Sequence, residues 1–279
     1  MRKISFHKTP PPIALLTDFG TSDQYVGVMK GVIANICPEA RIIDLSHHID
    51  PQDVTQAAFL LASSQDFFPQ DTIFTCVVDP GVGTDRPIVC ASFNDRMYLA
   101  PDNGLLSIVA AEHDENSFYA VENSEYFLSG AEGCRTTFDG RDVFAPVAAH
   151  LADGVSPEEL GSPMARIKDL KLPHPVKTAS GILAGQIIHV DQFGNLITNI
   201  SAATLQATFR APLRSIKVRV GGETVDGISP SYAEAEEDEL VAVISSGGYL
   251  EVAVNQGSAA ERLGCRRGDE VRTSVRGSG

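Results

Sequence analysis

The fold class is decided by one stretch, Thr72-Ile-Phe-Thr-Cys-Val-Val78, which stops at Asp79-Pro-Gly-Val-Gly83. A short apolar run rich in β-branched and aromatic residues, ended by proline and glycine, predicts a strand buried on both faces. Similar runs occupy residues 13–17, 41–45, 87–93 and 97–100, and helical patterns occupy residues 26–36, 54–67, 105–112 and 143–151. Strands that alternate with helices predict an α/β fold with a mainly parallel sheet and helices on both faces.

The composition changes after about residue 162, where a stretch with little periodicity is punctuated by Pro163, Pro173 and Pro175. Proline-rich, aperiodic sequence is typical of a connection between domains. Beyond it, strand patterns dominate, at residues 181–190, 196–200, 216–220, 241–244 and 249–254. Turns with Gly-Asn and Gly-Gly separate them, which is typical of antiparallel strands. We therefore predict an α/β domain of residues 1–165, a linker of residues 166–178, and a smaller C-terminal β-barrel domain of residues 179–279.

Charge and composition exclude several classes of partner. The 279-residue chain has 22 Lys and Arg against 36 Asp and Glu, a formal net charge of −14. Nucleic-acid binding needs concentrated positive charge, so no nucleic-acid partner is expected. No stretch approaches the roughly 18 apolar residues of a membrane span. Five scattered cysteines without a CxxC pair suit a reducing, cytoplasmic location and argue against a zinc site.

Acidic side chains follow several of the predicted strands. Asp18 and Asp23 follow the first, Asp50 and Asp53 follow the second together with His47-His48, and Asp79 follows the third. Ligands of open α/β sheets bind beyond the carboxyl ends of the strands, so these acids predict a ligand cleft. For any single cluster of acids, a helix cap or strand end is the preferred explanation, and it is the occurrence of several clusters that favours a cleft. Adjacent strand residues point to opposite faces, so His47 and His48 are interpreted as solvated or capping residues and no metal site is predicted.

Asp79 and Arg86 offer a specific chemistry. Gly81-Val-Gly83 continues with Thr84, Asp85 and Arg86, which excludes a phosphate-binding P-loop. The glycine-rich turn allows the guanidinium to fold back beside the Asp79 carboxylate. Such a pair can orient a water molecule, with the aspartate as proton acceptor and the arginine fixing its geometry. A structural ion pair that braces the turn explains the same spacing equally well.

Seven motifs together resemble one family, the S-adenosyl-L-methionine (SAM) hydroxide adenosyltransferases, also called SAM hydrolases, which are related to fluorinases and chlorinases. The motifs, in family order, are Leu16-Thr-Asp-Phe-Gly20, Tyr25-Val-Gly-Val-Met-Lys-Gly-Val-Ile33, Val78-Asp-Pro-Gly-Val-Gly83 with Arg86, Ala100-Pro-Asp-Asn-Gly-Leu-Leu106, Thr137-Phe138 with Gly140-Arg-Asp-Val-Phe-Ala-Pro146, residues 191–200 and residues 245–263. Each motif is weak by itself, but all seven in order are specific. They cover nearly the whole chain.

The resemblance implies a homotrimer in which the N-terminal domain of one subunit and the C-terminal domain of its neighbour form each site. It implies that water, as hydroxide, displaces methionine from the ribose C5′ of SAM, giving adenosine and L-methionine, with SAM as substrate and no cofactor. Asp79 and Arg86 are implied to activate the water. The substrate-binding residues it implies are Asp18 and Asp23 for the ribose hydroxyls, Asn195 with backbone near Ala259 for adenine, Asp191 for the methionine ammonium, and Ser246 for its carboxylate, with Tyr249 packed nearby.

One position departs from the family pattern. The hydrolases carry a histidine between the residues matching Phe138 and Gly140, and this chain has Asp139 there. Asp139 is therefore the third candidate catalytic residue, able to accept a hydrogen bond from water or to pair with Arg86. Because two acids near one water repel each other, we expect slower turnover or a shifted pH optimum. The alternatives are a halide-using SAM enzyme, a non-catalytic SAM- or adenosine-binding protein, and a metal-dependent hydrolase that a chelator would inactivate.

Overall fold

A computed structural model describes residues 9–113, 116–128, 137–171 and 173–275 of the chain. Contacts between Cα atoms divide it into two compact units, Met1–Leu170 and Lys171–Gly279. The division falls inside the stretch predicted as a linker, and the finer limits at residues 165 and 178 stay a prediction. Across the described ranges, every helix is too short or too polar to span a lipid bilayer.

The first unit is built on a six-stranded sheet in the order β2-β1-β3-β5-β4-β6. Neighbours β2, β1, β3 and β5 are parallel, whereas β4 runs antiparallel to β5 and β6. The mainly parallel sheet is therefore confirmed. The strands are β1 Ile13–Thr17, β2 Ile42–Ser46, β3 Ile73–Val77, β4 Ile88–Phe93, β5 Arg96–Pro101 and β6 Asn116–Ala120.

Helices cover both faces of this sheet because successive strand residues point to opposite sides. Ile13 and Leu15 pack with helices α1 and α4, whereas Ala14 and Leu16 pack with α2 and α3. The helices are α1 Tyr25–Ile36, α2 Val54–Ser64, α3 Ser107–Ala111 and α4 Ala145–Ala152. A π-helical turn, Gly140–Phe144, leads directly into α4. The helical patterns read from the sequence are confirmed, with ends shifted by a few residues.

The second unit is an antiparallel sheet in the order β11-β10-β14-β8-β9-β13-β12, with β7 paired to β8. Ser229, just after β11, bridges to Val243 in β12, so the two ends of the sheet approach each other and the sheet closes into a near-barrel. The predicted β-barrel class is confirmed. Its elements are β7 Val176–Lys177, β8 Leu183–Val190, β9 Leu196–Ser201, α5 Ala202–Phe209, β10 Ile216–Val220, β11 Glu223–Asp226, β12 Leu240–Ile244, β13 Tyr249–Val254, α6 Ala259–Leu263 and β14 Glu270–Val275.

Candidate active site

The acids that follow β1 and β3 meet at one edge of the first sheet. Thr17 and Val77, the last residues of these neighbouring parallel strands, lie opposite each other in register. Asp18 follows Thr17 directly, and Asp79 comes two residues after Val77. Both line a cavity of about 330 Å³. The sheet topology therefore brings two of the predicted site residues to one cleft at the carboxyl edge of the strands.

A three-residue ion cluster stands beside this cavity. Arg86 Nε donates to Asp79 Oδ1 at 2.9 Å, and Arg86 Nη2 donates to Asp79 Oδ2 and, at 2.6 Å, to Asp139 Oδ2. Only 5% of the Asp79 side chain, 13% of Arg86 and 14% of Asp139 is exposed. One guanidinium thus joins the two carboxylates, and the cluster carries a net charge of −1. Asp79 and Asp139 lie on the cavity wall.

The turn between Asp79 and Arg86 is shaped by its glycines and threonine. Gly81 donates its N–H to Asp79 Oδ1 at 3.0 Å, and Thr84 Oγ1 donates to the Gly81 carbonyl at 2.6 Å. A Cβ at position 81 would lie 3.2 Å from Arg86 Cγ, so glycine leaves room for the arginine stem. Asn103, after β5, donates to the Val78 carbonyl at 2.8 Å and ties the start of the turn to the neighbouring strand.

Arg86 stays charged in this setting. Burial acts to lower the Arg86 pKa, but the hydrogen bonds and charges of Asp79 and Asp139 outweigh it and raise the pKa above the ordinary arginine value. A guanidinium is permanently charged and planar, and its N–H donors have a fixed arrangement. It therefore keeps the two carboxylates in one orientation. The structure thus contains the predicted pair of Asp79 and Arg86, and Asp139 is the third member of the cluster.

Three aromatic rings form the other wall of the cavity. Phe19, Tyr25 and Phe138 contact one another with ring centroids 5.1–5.8 Å apart. All three line the cavity. Aromatic faces bind flat apolar groups and attract cations. No role was predicted for these residues, because Phe138 is far from the other two in sequence and aromatic residues occur equally in a cavity wall and in a core.

The two acids predicted to bind ribose are placed differently. Asp18 lines the cavity, and its Oδ2 accepts a hydrogen bond from the Gln52 N–H at 2.8 Å. Asp23 is exposed, just before α1, and lies outside the set of residues that line the cavity. The structure therefore brings Asp18 together with Asp79 and Asp139 but does not bring Asp23 to the same wall.

In the second unit, Asp191 and Asn195 share a tight turn between β8 and β9. Asp191 Oδ1 accepts from the N–H groups of Phe193 and Asn195, and its Oδ2 accepts from Asn195 Nδ2, each at 2.9 Å. Gly194 has a φ of +79°, a conformation that favours glycine. Both predicted residues line a cavity of about 630 Å³, together with the exposed ring of Phe193. This cavity is polar at the turn and aromatic beside it.

The other three predicted binding residues do not line that cavity. Ser246 is exposed in the turn before β13, and Tyr249 is half-buried as the first residue of β13. Ala259 is fully buried as the first residue of α6. Their predicted roles therefore stay predictions that come from the resemblance.

Two further residues of this region gave no signal in the sequence. Tyr232 lines the cavity, and its hydroxyl donates to Glu251 Oε1 at 2.5 Å. Only 4% of Glu251 is exposed. Burial raises the pKa of Glu251, and the Asp191 charge raises it further, against the opposing hydrogen bond from Tyr232. A glutamate inside a strand pattern does not by itself indicate a buried carboxyl group.

The two adjacent histidines differ. His48 is exposed, as interpreted from the sequence, but the same interpretation is wrong for His47, of which only 4% is exposed. The His47 Nδ1 lies 2.9 Å from Thr17 Oγ1. The interpretation failed because the ring, although it follows the edge strand β2, lies against Thr17 at the end of the neighbouring strand β1. Within the described ranges, no group of three or more His, Cys, Asp or Glu side chains is arranged to hold a metal ion.

Comparison with known proteins identifies the family. Residues 13–161 match the family model of the SAM hydroxide adenosyltransferase N-terminal domain, and residues 185–272 match that of the C-terminal domain. The chain belongs to the SAM hydroxide adenosyltransferase family. Both candidate cavities and all ten predicted site residues fall inside the matched ranges.

Relatives of this SAM hydroxide adenosyltransferase cover nearly the whole chain. An (R)-S-adenosyl-L-methionine hydrolase of Thermus thermophilus is 38% identical over 94% of this chain and 98% of its own. A fluorinase of Actinoplanes sp. is 31% identical over 88% of this chain and 91% of its own. The crystal structure of an uncharacterized conserved protein from Thermotoga maritima superposes with a TM-score of 0.87 at 37% identity, over 94% of this chain and 99% of that one.

Proposed function

We propose that this protein hydrolyses SAM to adenosine and L-methionine by attack of water-derived hydroxide on ribose C5′. The observation that carries the proposal is the cluster of Asp79, Arg86 and Asp139, which presents two carboxylates to an aromatic-walled cavity. The relatives named (R)-S-adenosyl-L-methionine hydrolase support it, at 33–38% identity over most of the chain.

The displacement of methionine from C5′ needs no general acid. The water oxygen forms a bond to C5′ while the bond from C5′ to sulfur breaks, and the electron pair of that bond stays on sulfur. The sulfonium becomes the neutral thioether of methionine, so the leaving group needs no proton. The proton from water is accepted by a carboxylate of the cluster. The chemical demand therefore falls on activating and aligning one water molecule.

Asp79 is the proposed proton acceptor. It is more buried than Asp139, and its two oxygens are held by Arg86 and by the Gly81 N–H. A fixed, poorly solvated carboxylate on the wall of the cavity accepts a proton in a defined direction. Arg86 is a positioning residue in this scheme. Asp139 Oδ2 accepts from the same Arg86 Nη2 at 2.6 Å and adds a second acceptor near the water.

The substrate is recognised by charge and by stacking. Asp18 accepts hydrogen bonds from the ribose hydroxyls, and Asp23 assists from the loop before α1. The net negative charge of the cluster and the rings of Phe19, Tyr25 and Phe138 attract the sulfonium.

The remaining substrate contacts are proposed for the second unit. Asp191 binds the methionine ammonium, Ser246 its carboxylate, and Asn195 the adenine edge, with Ala259 and Tyr249 nearby. We also propose the homotrimer implied by the resemblance, with each site at a subunit interface. Each cavity lies within one unit and holds only part of the predicted residue set, so neither cavity alone accounts for all the proposed substrate contacts.

A cytoplasmic location is part of the proposal. Cys37, Cys76 and Cys90 are buried free thiols. Buried, unpaired cysteines fit a reducing compartment.

The test is product analysis in halide-free buffer, with adenosine and methionine separated by chromatography. Asp79→Asn is expected to lower the turnover rate by about 10²–10⁴-fold, the usual contribution of a general base. Asp66→Asn is the control, because 80% of that side chain is exposed and it lies outside the cluster. Full activity of Asp79→Asn contradicts the assigned role.

The same assay separates the alternatives. SAM that binds without adenosine release indicates a non-catalytic binding protein. A 5′-halo nucleoside formed only when fluoride or chloride is added indicates a halide-using enzyme, the activity named for the fluorinase relatives. Loss of product with a chelator indicates a metal-dependent hydrolase.

A further inference from the structure

His47 is a buried titratable side chain that the reaction above does not use. It follows β2 directly, at the same carboxyl edge as Asp18 and Asp79. Strand β2 pairs in parallel with β1, so His47 lies beside the residues that leave β1. Its ring is 4% exposed, and the Thr17 side chain that it contacts is fully buried.

The hydrogens of this contact have a defined direction. Asp44 Oδ1 lies 3.0 Å from His47 Nε2, and Lys30 Nζ donates to Asp44 Oδ2 at 2.7 Å. Partial burial acts to raise the Asp44 pKa, but Lys30 and His47 outweigh it and the pKa is lowered, so this group is a carboxylate at neutral pH. A lone pair on Nε2 would face that negative charge. Nε2 is buried and its contact with Asp44 is close without meeting hydrogen-bond geometry, but a hydrogen on Nε2 is the arrangement that avoids two facing lone pairs. We therefore assign the hydrogen to Nε2, which leaves Nδ1 to accept from the Thr17 hydroxyl.

This chain of contacts fixes the turn that carries Asp18. The Thr17 hydroxyl accepts from the Phe19 N–H at 3.3 Å while it donates to His47. At the far end of the turn, the Gly20 N–H donates to the His47 carbonyl at 2.7 Å. His47 thus holds both ends of a four-residue segment, residues 17–20. The two residues between these ends, Asp18 and Phe19, both line the cavity.

We infer that His47 is a positioning residue for SAM binding, which acts through the Thr17 hydroxyl to set the place of the Asp18 carboxylate and the Phe19 ring. The inference rests on the proposed function. Asp18 is proposed to bind the ribose hydroxyls, which do not change in the reaction, so its displacement weakens the ground state and the transition state alike. Loss of such uniform binding raises KM and leaves kcat nearly unchanged.

Two amide replacements of His47 test the contacts of its two ring nitrogens separately. His47→Asn places an amide oxygen near the position of Nδ1 and keeps an acceptor for Thr17, but it loses the contact to Asp44. His47→Gln reaches toward Asp44 and lacks an acceptor at the Nδ1 position. We expect His47→Gln to raise the KM for SAM by about fivefold to tenfold, the worth of one hydrogen bond, with kcat within about twofold of wild type. His47→Asn is expected to retain a KM close to wild type.

A second pair of variants covers the case in which a His47 replacement does not fold. Thr17→Val removes the hydroxyl at nearly constant volume and is expected to reproduce the KM increase, whereas Thr17→Ser keeps the hydroxyl and restores the KM. His48→Gln, at the exposed neighbour, is the control and is expected to leave both constants unchanged.

The outcomes separate this inference from the proposed function. A wild-type protein that releases no adenosine overturns the proposed function. An active wild type with an unchanged KM in both His47→Gln and Thr17→Val overturns the inference. Equal losses in His47→Asn and His47→Gln, accompanied by equal drops in melting temperature, also overturn it, because they indicate a structural role alone.

Discussion

Replacing Arg86 by methionine removes the one cation of the ion cluster. The carboxylates of Asp79 and Asp139 then lose their shared positively charged partner. Methionine fills a similar length of side chain, so the change isolates the charge and the hydrogen bonds. The lost contacts are those from Nε and Nη2 to two carboxylates that are 5% and 14% exposed. We expect Arg86→Met to be destabilised at neutral pH.

The magnitude follows from the burial. Removing one partner of a buried ion pair costs about 3–5 kcal/mol, because the remaining charge is left uncompensated. The cluster borders a cavity that admits water, so we take the lower value, about 3 kcal/mol. At about 2–4 °C per kcal/mol for a unit of this size, the melting temperature should fall by about 6–12 °C.

The assay is thermal unfolding at pH 7, with the Arg272→Met variant as control. Arg272 and its partner Glu270 are both about half exposed, and an exposed pair is worth less than about 1 kcal/mol. In the Arg86→Met background, Asp139→Asn removes one of the two uncompensated charges and should recover about half of the loss. A melting temperature for Arg86→Met within 2 °C of the Arg272→Met control would refute the reasoning, about 2 °C being under 1 kcal/mol.

Three further outcomes are expected. Asp139→His introduces a group that titrates near pH 6.5, so the rate of adenosine release should acquire a step near that pH, and identical pH–rate profiles would contradict a role for position 139. The Glu251 pKa lies above its ordinary value of 4.5, so stability is lost as the pH rises through that raised value. Glu251→Gln should therefore have a higher urea midpoint than wild type at pH 7 and an equal one at pH 4. In Gly194→Ala a Cβ would collide with Ser258 Oγ at a positive φ, which should cost about 1–3 kcal/mol by the same measurement.

The fold was predictable where the apolar pattern is strong. Every residue of β3 is buried, and the Asp79-Pro80-Gly81 turn that follows it is recognisable in the sequence. β14 was missed because it carries polar residues at alternate positions, and β6 was missed because it begins with two exposed polar residues, Asn116 and Ser117. A charged, alternating segment becomes a strand through the partner that it pairs with, and a local pattern does not show that partner.

The local part of the site was predictable from residue spacing, and its distant part only from the family resemblance. The bond from Arg86 to Asp79 spans seven positions and a turn, so spacing suggested it. The bond from Arg86 to Asp139 spans 53 positions, and it forms because the π-helical turn Gly140–Phe144 follows Asp139 at the edge of the sheet. Pairing with Arg86 was one of the two roles considered for Asp139 from the sequence, and the structure shows this pairing at 2.6 Å. The hydroxyl contact between Thr17 and His47 has no sequence signal, since it depends on β1 and β2 being neighbours in the sheet.

The charge of the cluster predicts that the substrate of the proposed reaction binds more strongly than the products. Two carboxylates and one guanidinium leave a net charge of −1 beside an aromatic wall, and this charge attracts a sulfonium. Displacement at C5′ converts the sulfonium to a neutral thioether, so the attraction ends when the bond to sulfur breaks. The same step passes a proton to the cluster, which lowers its negative charge. Substrate is therefore expected to bind more strongly than either product at the same residues.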